Sequence, residues 1–396
     1  MTKSICQFSI ILFVMIVLTS LASAEGVYID ADGSIHFGGE ACSVYTESVL
    51  PLSNGNLLLS VVGKGCVDSS ASVSDGYQTW LVCLEPGGAE LWHNRISDTN
   101  APVSVMVEQE NQTVRVTAAR DKGSVRWQSV YSLTDGTLLE QTEPIQVIED
   151  SLFYDENVSV SYLGRMGTAE RFLREEIYDA FAATWPRVLQ LERPDGSTIW
   201  RKDSSELGMQ LLGGLKMEMG TFLYGNNATY TRMQLAMIDH NGFILWLREA
   251  EELKDGRYVG AIQTTDGNIL LCGLREIYPV DNDCWYERVF HCIDPTSGET
   301  LWLSTVEGSE KQASRMDYLC ETPQGYLLAD ANRNDDGSAF LLIDKQGNEL
   351  AYWEDTHWES KIAAAFPFAW GNEVWCCVYL YSGEGCVLIE IDMPNI

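Results

Sequence analysis

The chain has 396 residues, 57 of them acidic and 26 basic, for a formal net charge of -31. That balance excludes nucleic acid as a partner, because phosphate binding needs clustered lysine and arginine, and it disfavours anionic membrane surfaces. Its ordinary reading is solubility and self-repulsion; the sharper reading is affinity for cations or basic partners.

Residues 1–24 read as a signal peptide. Lys3 precedes the unbroken apolar run 10–18, and Ala22-Ser23-Ala24 supplies the small residues of a cleavage site. The run is well short of the roughly 20 residues that span a bilayer, no lipid-attachment cysteine follows it, and no later stretch has the length and apolarity of a membrane helix. The expected product, residues 25–396, is a single secreted or extracellular domain, monomeric and membrane-free, with the cell envelope as an alternative location.

From there the chain repeats itself. Four copies of a glycine turn carry tryptophan four residues on: Gly88 with Trp92, Gly196 with Trp200, Gly242 with Trp246 and Gly298 with Trp302. Three weaker copies keep the phase, Gly33 with Phe37, Gly136 with Glu140 and Gly347 with Ala351. The step is about 50 residues, the range of propellers, solenoids and arrays.

Each unit has the same internal order. In the fifth, Asp266-Gly267-Asn268-Ile269-Leu270-Leu271-Cys272 is followed by Val289-Phe290-His291-Cys292-Ile293 and then by the Gly298 turn and Trp302. Short apolar runs bounded by Gly, Asn and Asp are strands, and Asp195-Gly196 and Asn241-Gly242 are residues that tolerate positive φ in hairpins. The last unit ends at Cys386-Val387-Leu388-Ile389-Glu390-Ile391, with no tryptophan strand after it. The N-terminal segment around Ile35 can supply the missing outer strand beside Ile389, which closes a ring and removes open edges. The expected fold is all-β: a seven-bladed β-propeller, with eight blades as the alternative, made of four-stranded antiparallel sheets. The tryptophans then serve as glue between blades.

One segment departs from the period. Within 164–186, Thr168-Ala169-Glu170-Arg171-Phe172-Leu173-Arg174-Glu175-Glu176-Ile177 continuing to Phe181 has the spacing of an amphipathic helix capped by Thr168, an insertion decorating one blade or forming part of a binding surface.

The run Cys292-Ile293-Asp294-Pro295-Thr296-Ser297-Gly298-Glu299-Thr300-Leu301-Trp302 resembles the repeat of quinoprotein-type propellers, in which Asp, a Thr-Gly or Ser-Gly turn and a docking Trp recur. Asp266-Gly267-Asn268-Ile269-Leu270-Leu271 and Trp80-Leu81-Val82 resemble repeats of secreted bacterial members of that superfamily. The resemblance concerns scaffold residues and implies the fold. Redox enzymes of the superfamily hold pyrroloquinoline quinone and calcium next to a ring of adjacent cysteines. The matching pair here, Cys376-Cys377, lies in an apolar strand that sends consecutive side chains to opposite faces.

Ten cysteines follow the leader, and the gap from Cys83 to Cys272 argues against a framework of disulfides holding the whole chain. Those within apolar runs read as buried thiols; Cys66 with Cys83, or Cys272 with Cys292, are candidate pairs within one blade. Asn332, Asn334, Asp336 and Gly337 match the opening of a calcium loop, but Ile343 stands where a bidentate Glu belongs. Asp281, Asn282 and Asp283 read as a polar connector. The five histidines, 36, 93, 240, 291 and 357, have no zinc spacing. No serine-nucleophile elbow or phosphate loop is present, and abundant carboxylates do not amount to a glycosidase pair. No catalytic, cofactor-binding or metal residue is assigned. The expected function is a non-catalytic module that binds an extracellular protein or glycan through loops at one mouth of the ring. The alternatives are a quinone-dependent dehydrogenase or carboxylate-based hydrolase, and an envelope assembly scaffold.

Overall fold

The computed structural model describes residues 27–29, 35–37, 44–63, 78–97, 103–108, 111–120, 125–146, 158–162, 172–178, 187–193, 197–227, 232–253, 256–277, 285–307, 318–331, 338–355, 362–380 and 386–394. They are almost entirely strands. Two short ones, β1 (Val27–Ile29) and β2 (Ile35–Phe37), precede seven successive groups, here called blades.

Blade 1 holds β3 (Val44–Pro51), β4 (Leu57–Gly63), β5 (Gln78–Leu84) and β6 (Glu90–Ser97). Blade 2 holds β7 (Val103–Glu108), β8 (Thr113–Arg120), β9 (Val125–Ser132) and β10 (Leu138–Gln141), with β11 (Ile145–Gln146) also on β9. Blade 3 holds β12 (Val158–Tyr162), β13 (Phe172–Tyr178), β14 (Arg187–Glu192) and β15 (Thr198–Asp203). Blade 4 holds β16 (Met209–Met217), β17 (Gly220–Asn227), β18 (Met233–Ile238) and β19 (Ile244–Glu249). Blade 5 holds β20 (Gly256–Gln263), β21 (Ile269–Ile277), β22 (Trp285–Ile293) and β23 (Thr300–Glu307). Blade 6 holds β24 (Tyr318–Glu321), β25 (Tyr326–Ala331), β26 (Ser338–Ile343) and β27 (Glu349–Asp355). Blade 7 holds β28 (Ile362–Trp370), β29 (Glu373–Leu380) and β30 (Cys386–Glu390), and β2 and then β1 complete its sheet.

All pairings are antiparallel, and apart from β2 on β30 and β11 on β9 each joins strands consecutive in the chain. First strands of neighbouring blades touch one another, β16 with β20, β20 with β24, β24 with β28 and β28 with β3, so they line the centre. The middle strands are covered on both faces, which explains their near-continuous apolar runs: all seven residues of β5 are buried, whereas all four of β10, on the perimeter, are exposed.

The core is a succession of layers between blades. Leu58, Leu81 and Trp92 meet Val114 and Val116 between blades 1 and 2. Leu189 and Trp200 meet Leu223 and Ala236 between blades 3 and 4, and Phe222 and Met237 meet Ile269 and Val289 between 4 and 5. Leu270 and Phe290 meet Leu328 and Leu341 next, then Leu327 and Phe340 meet Cys376 and Val387. Finally Trp370, Cys377 and Leu388 of blade 7 pack on Leu57 and Trp80 of blade 1, which brings the succession back to its start. Among the described residues no apolar cluster joins blades 2 and 3.

The N-terminal strand closes the last sheet as the sequence leads one to expect: β2 pairs with β30, with Ile35 opposite Leu388. The helix expected near 168–181 is corrected. Residues 172–178 are β13, paired along their length with β12 and with β14, and Thr168 lies outside the described residues. Glu, Arg and Leu favour helix locally, but the pairing edges of two neighbouring strands outweigh so weak a preference over one turn or two.

Candidate functional site

The glycine and tryptophan of the period are partners, and the partnership runs from one copy to the next. A Cβ on Gly136 would fall 2.6 Å from the Trp92 ring, one on Gly242 2.4 Å from Trp200 Cβ, one on Gly298 2.8 Å from Trp246, and one on Gly347 2.6 Å from Trp302. Each of these glycines has positive φ, so the turn and the close approach make the same demand. Two indoles also bond across the seam: Trp92 Nε1 donates to Leu133 O at 3.2 Å and Trp246 Nε1 to Pro295 O at 2.8 Å. The turn aspartates belong to this scaffold. Asp294 Oδ1 accepts from the backbone N–H of Thr296 and Ser297 and from the Thr296 hydroxyl, and these bonds hold its carboxyl below the usual range.

What the scaffold leaves over is on the perimeter. In five blades the register between third and fourth strands skips one residue on the outer strand, immediately before the tryptophan or its equivalent: Leu91, Ile199, Leu245, Leu301 and Leu350. Leu139 is skipped in the same way in blade 2. Such bulges aim an extra side chain off the ladder, and Leu91, Leu139, Leu245 and Leu301 are 44 to 56% exposed. Blades 4 and 5 add Phe243, 70% exposed, Leu247 and Leu303. The outer strand β19 is joined to blade 5 at this seam by the Trp246 bond to the turn before β23 and by Arg248 Nη2 donating to Thr300 Oγ1 of β23 at 3.3 Å.

Blade 5 also carries a polar chain that runs from a buried pair, Tyr258 and His291, to the exposed perimeter. Tyr258 Oη is 2.6 Å from His291 Nδ1, and His291 Nε2 is 2.8 Å from Thr300 Oγ1. Tyr258 donating to Nδ1 and Nε2–H donating to Thr300 satisfies both ring nitrogens. The chain runs from the central strand β20 to the outer strand β23, and Arg248 extends it to blade 4. The sequence reading did not single it out. The available signal was a histidine in the middle of an apolar strand.

The residues weighed in the sequence are dispersed. Cys376 faces blade 6 and Cys377 faces blade 1, so the adjacent pair does point apart. Cys83, Cys272 and Cys292 carry thiols, as expected of cysteines in apolar runs, so the candidate pair Cys272–Cys292 is not formed; the other candidate involves Cys66, which lies outside the described residues. Burial pushes the Cys83 thiol up to about 12, and burial with Asp266 nearby pushes Cys292 to about 11, so both stay protonated and pack as small apolar groups. His93 bonds Glu90 at 2.7 Å and His240 bonds Glu218 O at 2.7 Å. Residues 281–283, 332, 334, 336, 337 and 357 lie outside the described set. Among the described residues no cluster of His, Cys, Asp and Glu has the form of a metal site, and no helix is long and apolar enough to cross a membrane.

A ring of four-stranded antiparallel sheets with central first strands, closed by the N-terminal strand, is a β-propeller. No family model and no curated protein matches the chain. Among solved structures it is similar to the polysaccharide lyase Uly1, with 9% identity, 90% of each chain covered and a TM-score of 0.48. It is also similar to the β-propeller domain of the Trilobed protease from Pyrococcus furiosus, with 9% identity, 89% of this chain and 96% of that one covered and a TM-score of 0.47. The AfRom2 CNH domain follows at 10% identity, 89% and 96% covered, and a TM-score of 0.45.

Proposed function

We propose that this chain is a non-catalytic protein-interaction module: a seven-bladed propeller of quinoprotein-like repeats, secreted once residues 1–24 are removed. The observation that carries the reading is the set of exposed large apolar side chains on the perimeter of blades 4 and 5: Phe243 in the turn before β19, Leu245 and Leu247 in β19, and Leu301 and Leu303 in β23. Exposed apolar surface of this kind marks interaction sites. Here it is mostly aliphatic, which suits a protein surface better than a sugar ring, and the acidic remainder of the molecule favours a basic rim on the partner.

The test places a photo-crosslinking residue at Phe243 or Leu301 and exposes the folded protein to proteins of the producing cell's surface and medium. A discrete adduct from these positions, lost in the Leu245→Asp/Leu303→Asp double variant and absent from a probe at Glu140, is the expected result. Quinone-dependent dye reduction, or retention on a glycan panel with no adduct, overturns it.

A further inference from the structure

Blade 7 holds a pair of thiols within the apolar cluster that packs it on blade 1. Strands β29 and β30 place Cys377 opposite Leu388 and Cys386 opposite Tyr379, so the two cysteines share one face on a diagonal. Their sulfurs are 3.1 Å apart, and neither side chain has exposed surface. Sheet twist brings one diagonal of an antiparallel pair together and spreads the other. Blade 5 shows the contrast: Cys272 lies opposite Phe290 and Cys292 opposite Leu270, which is the opposite diagonal. Cys376 does not compete, since it faces blade 6.

We propose that Cys377 and Cys386 are a dithiol that converts to an intrachain disulfide on meeting an oxidising disulfide such as oxidised glutathione. One thiolate attacks the acceptor, its S–S bond breaks, and a mixed disulfide forms with release of one acceptor thiol. The second thiolate displaces the other acceptor half, leaving a Cys377–Cys386 bond; two electrons and two protons end on the acceptor as two thiols. Both sulfurs are buried, so exchange proceeds when β30 parts from its neighbours or before β2 has docked. Cys386 is opposite Phe37 of β2, so the link ties β30, the strand on which β2 docks, to its neighbour β29. The proposal is independent of the binding reading above.

The experiment incubates the purified full chain in glutathione buffers of increasing oxidising poise, with and without mild urea, then alkylates under denaturing conditions and maps peptides. The expected result is a linked Cys377–Cys386 peptide pair that reverts with reductant, forms faster in urea and is absent from the Cys386→Ala variant, while Cys272 and Cys292 stay fully alkylated. Full alkylation of Cys377 and Cys386 at every poise, urea included, overturns the proposal. So does a link from either residue to Cys376. The wild-type map decides the matter even if the variant does not fold.

Discussion

The seam between blades 4 and 5 and the seam between blades 7 and 1 do the same job with different parts. Where the chain runs on from blade to blade, the outer-strand Trp246 covers Gly298 of the next turn and bonds Pro295, and the polar atoms of Tyr258, His291 and Thr300 are bonded within blade 5. Where the ring closes, the outer position of blade 7 is taken by β2, a borrowed strand with no tryptophan. The indoles there come from inner and middle strands: Trp370 donates to Gly55 O at 2.6 Å, while Trp80 and Trp375 bury indole N–H groups that have no hydrogen-bond partner. The repeating seam is therefore a motif handed along the chain. The closing seam is an apolar cluster in which fewer directions are specified.

The largest test of that contrast is Trp246→Ala. It removes the ring that fills the repeating seam and is expected to cost about 3–5 kcal/mol, read as a fall in thermal midpoint with blades 4 and 5 losing amide protection first; uniform loss around the ring would contradict a local seam. Next is Gly298→Ala, where a left-handed backbone costs about 1–2 kcal/mol and the forced contact with Trp246 adds about 1–3 kcal/mol. Gly267→Ala, also at positive φ but with nothing within 4 Å, should show the backbone share alone; equal midpoints for the two variants would remove the indole from the argument.

A smaller effect separates the indoles of the closing seam. Both Trp370→Phe and Trp375→Phe lose the same ring volume, but only Trp370→Phe also forfeits a hydrogen bond, so it should cost about 0.5–1.5 kcal/mol more than Trp375→Phe, whose N–H has no partner to lose. The reverse ranking in denaturant unfolding would show that the seam has been misread.

The smallest effect is a pH dependence at the seam between blades 5 and 6. Burial pushes the Glu321 carboxyl up, but its bonds to Lys345 and to the Thr265 hydroxyl and N–H outweigh that and hold it below the ordinary range. A lowered carboxylate contributes stability above its unfolded value and loses it as pH falls through the folded one. Between about pH 6 and 3 the midpoint of the native protein should therefore fall more steeply than that of Glu321→Gln; parallel curves would dispose of the tie.

The ring was legible in the sequence because its seam is written twice in the stronger units, once as a turn glycine such as Gly298 or Gly347 and once as a tryptophan such as Trp246 or Trp302. The residue before each tryptophan was equally regular, yet a bulge at Leu245 or Leu301 cannot be told from ordinary alternation until the partner strand is known. Residues 172–178 misled for a related reason: Glu175 and Glu176 carry local helix preference, and the pairing that decides the strand is non-local. His291 was hidden by the apolar residues on either side, since its partners come from β20 and β23. Proximity of Cys377 to Cys386 depends on which diagonal the twist closes, and no spacing rule records that.

The borrowed strand also sets an order of events. Ile35 and Leu388 lie near opposite ends of the polypeptide, so blade 7 cannot be completed until almost the whole chain has been made. Through synthesis the N-terminal strand waits without its partner, and the last sheet to be completed is the one that closes the ring.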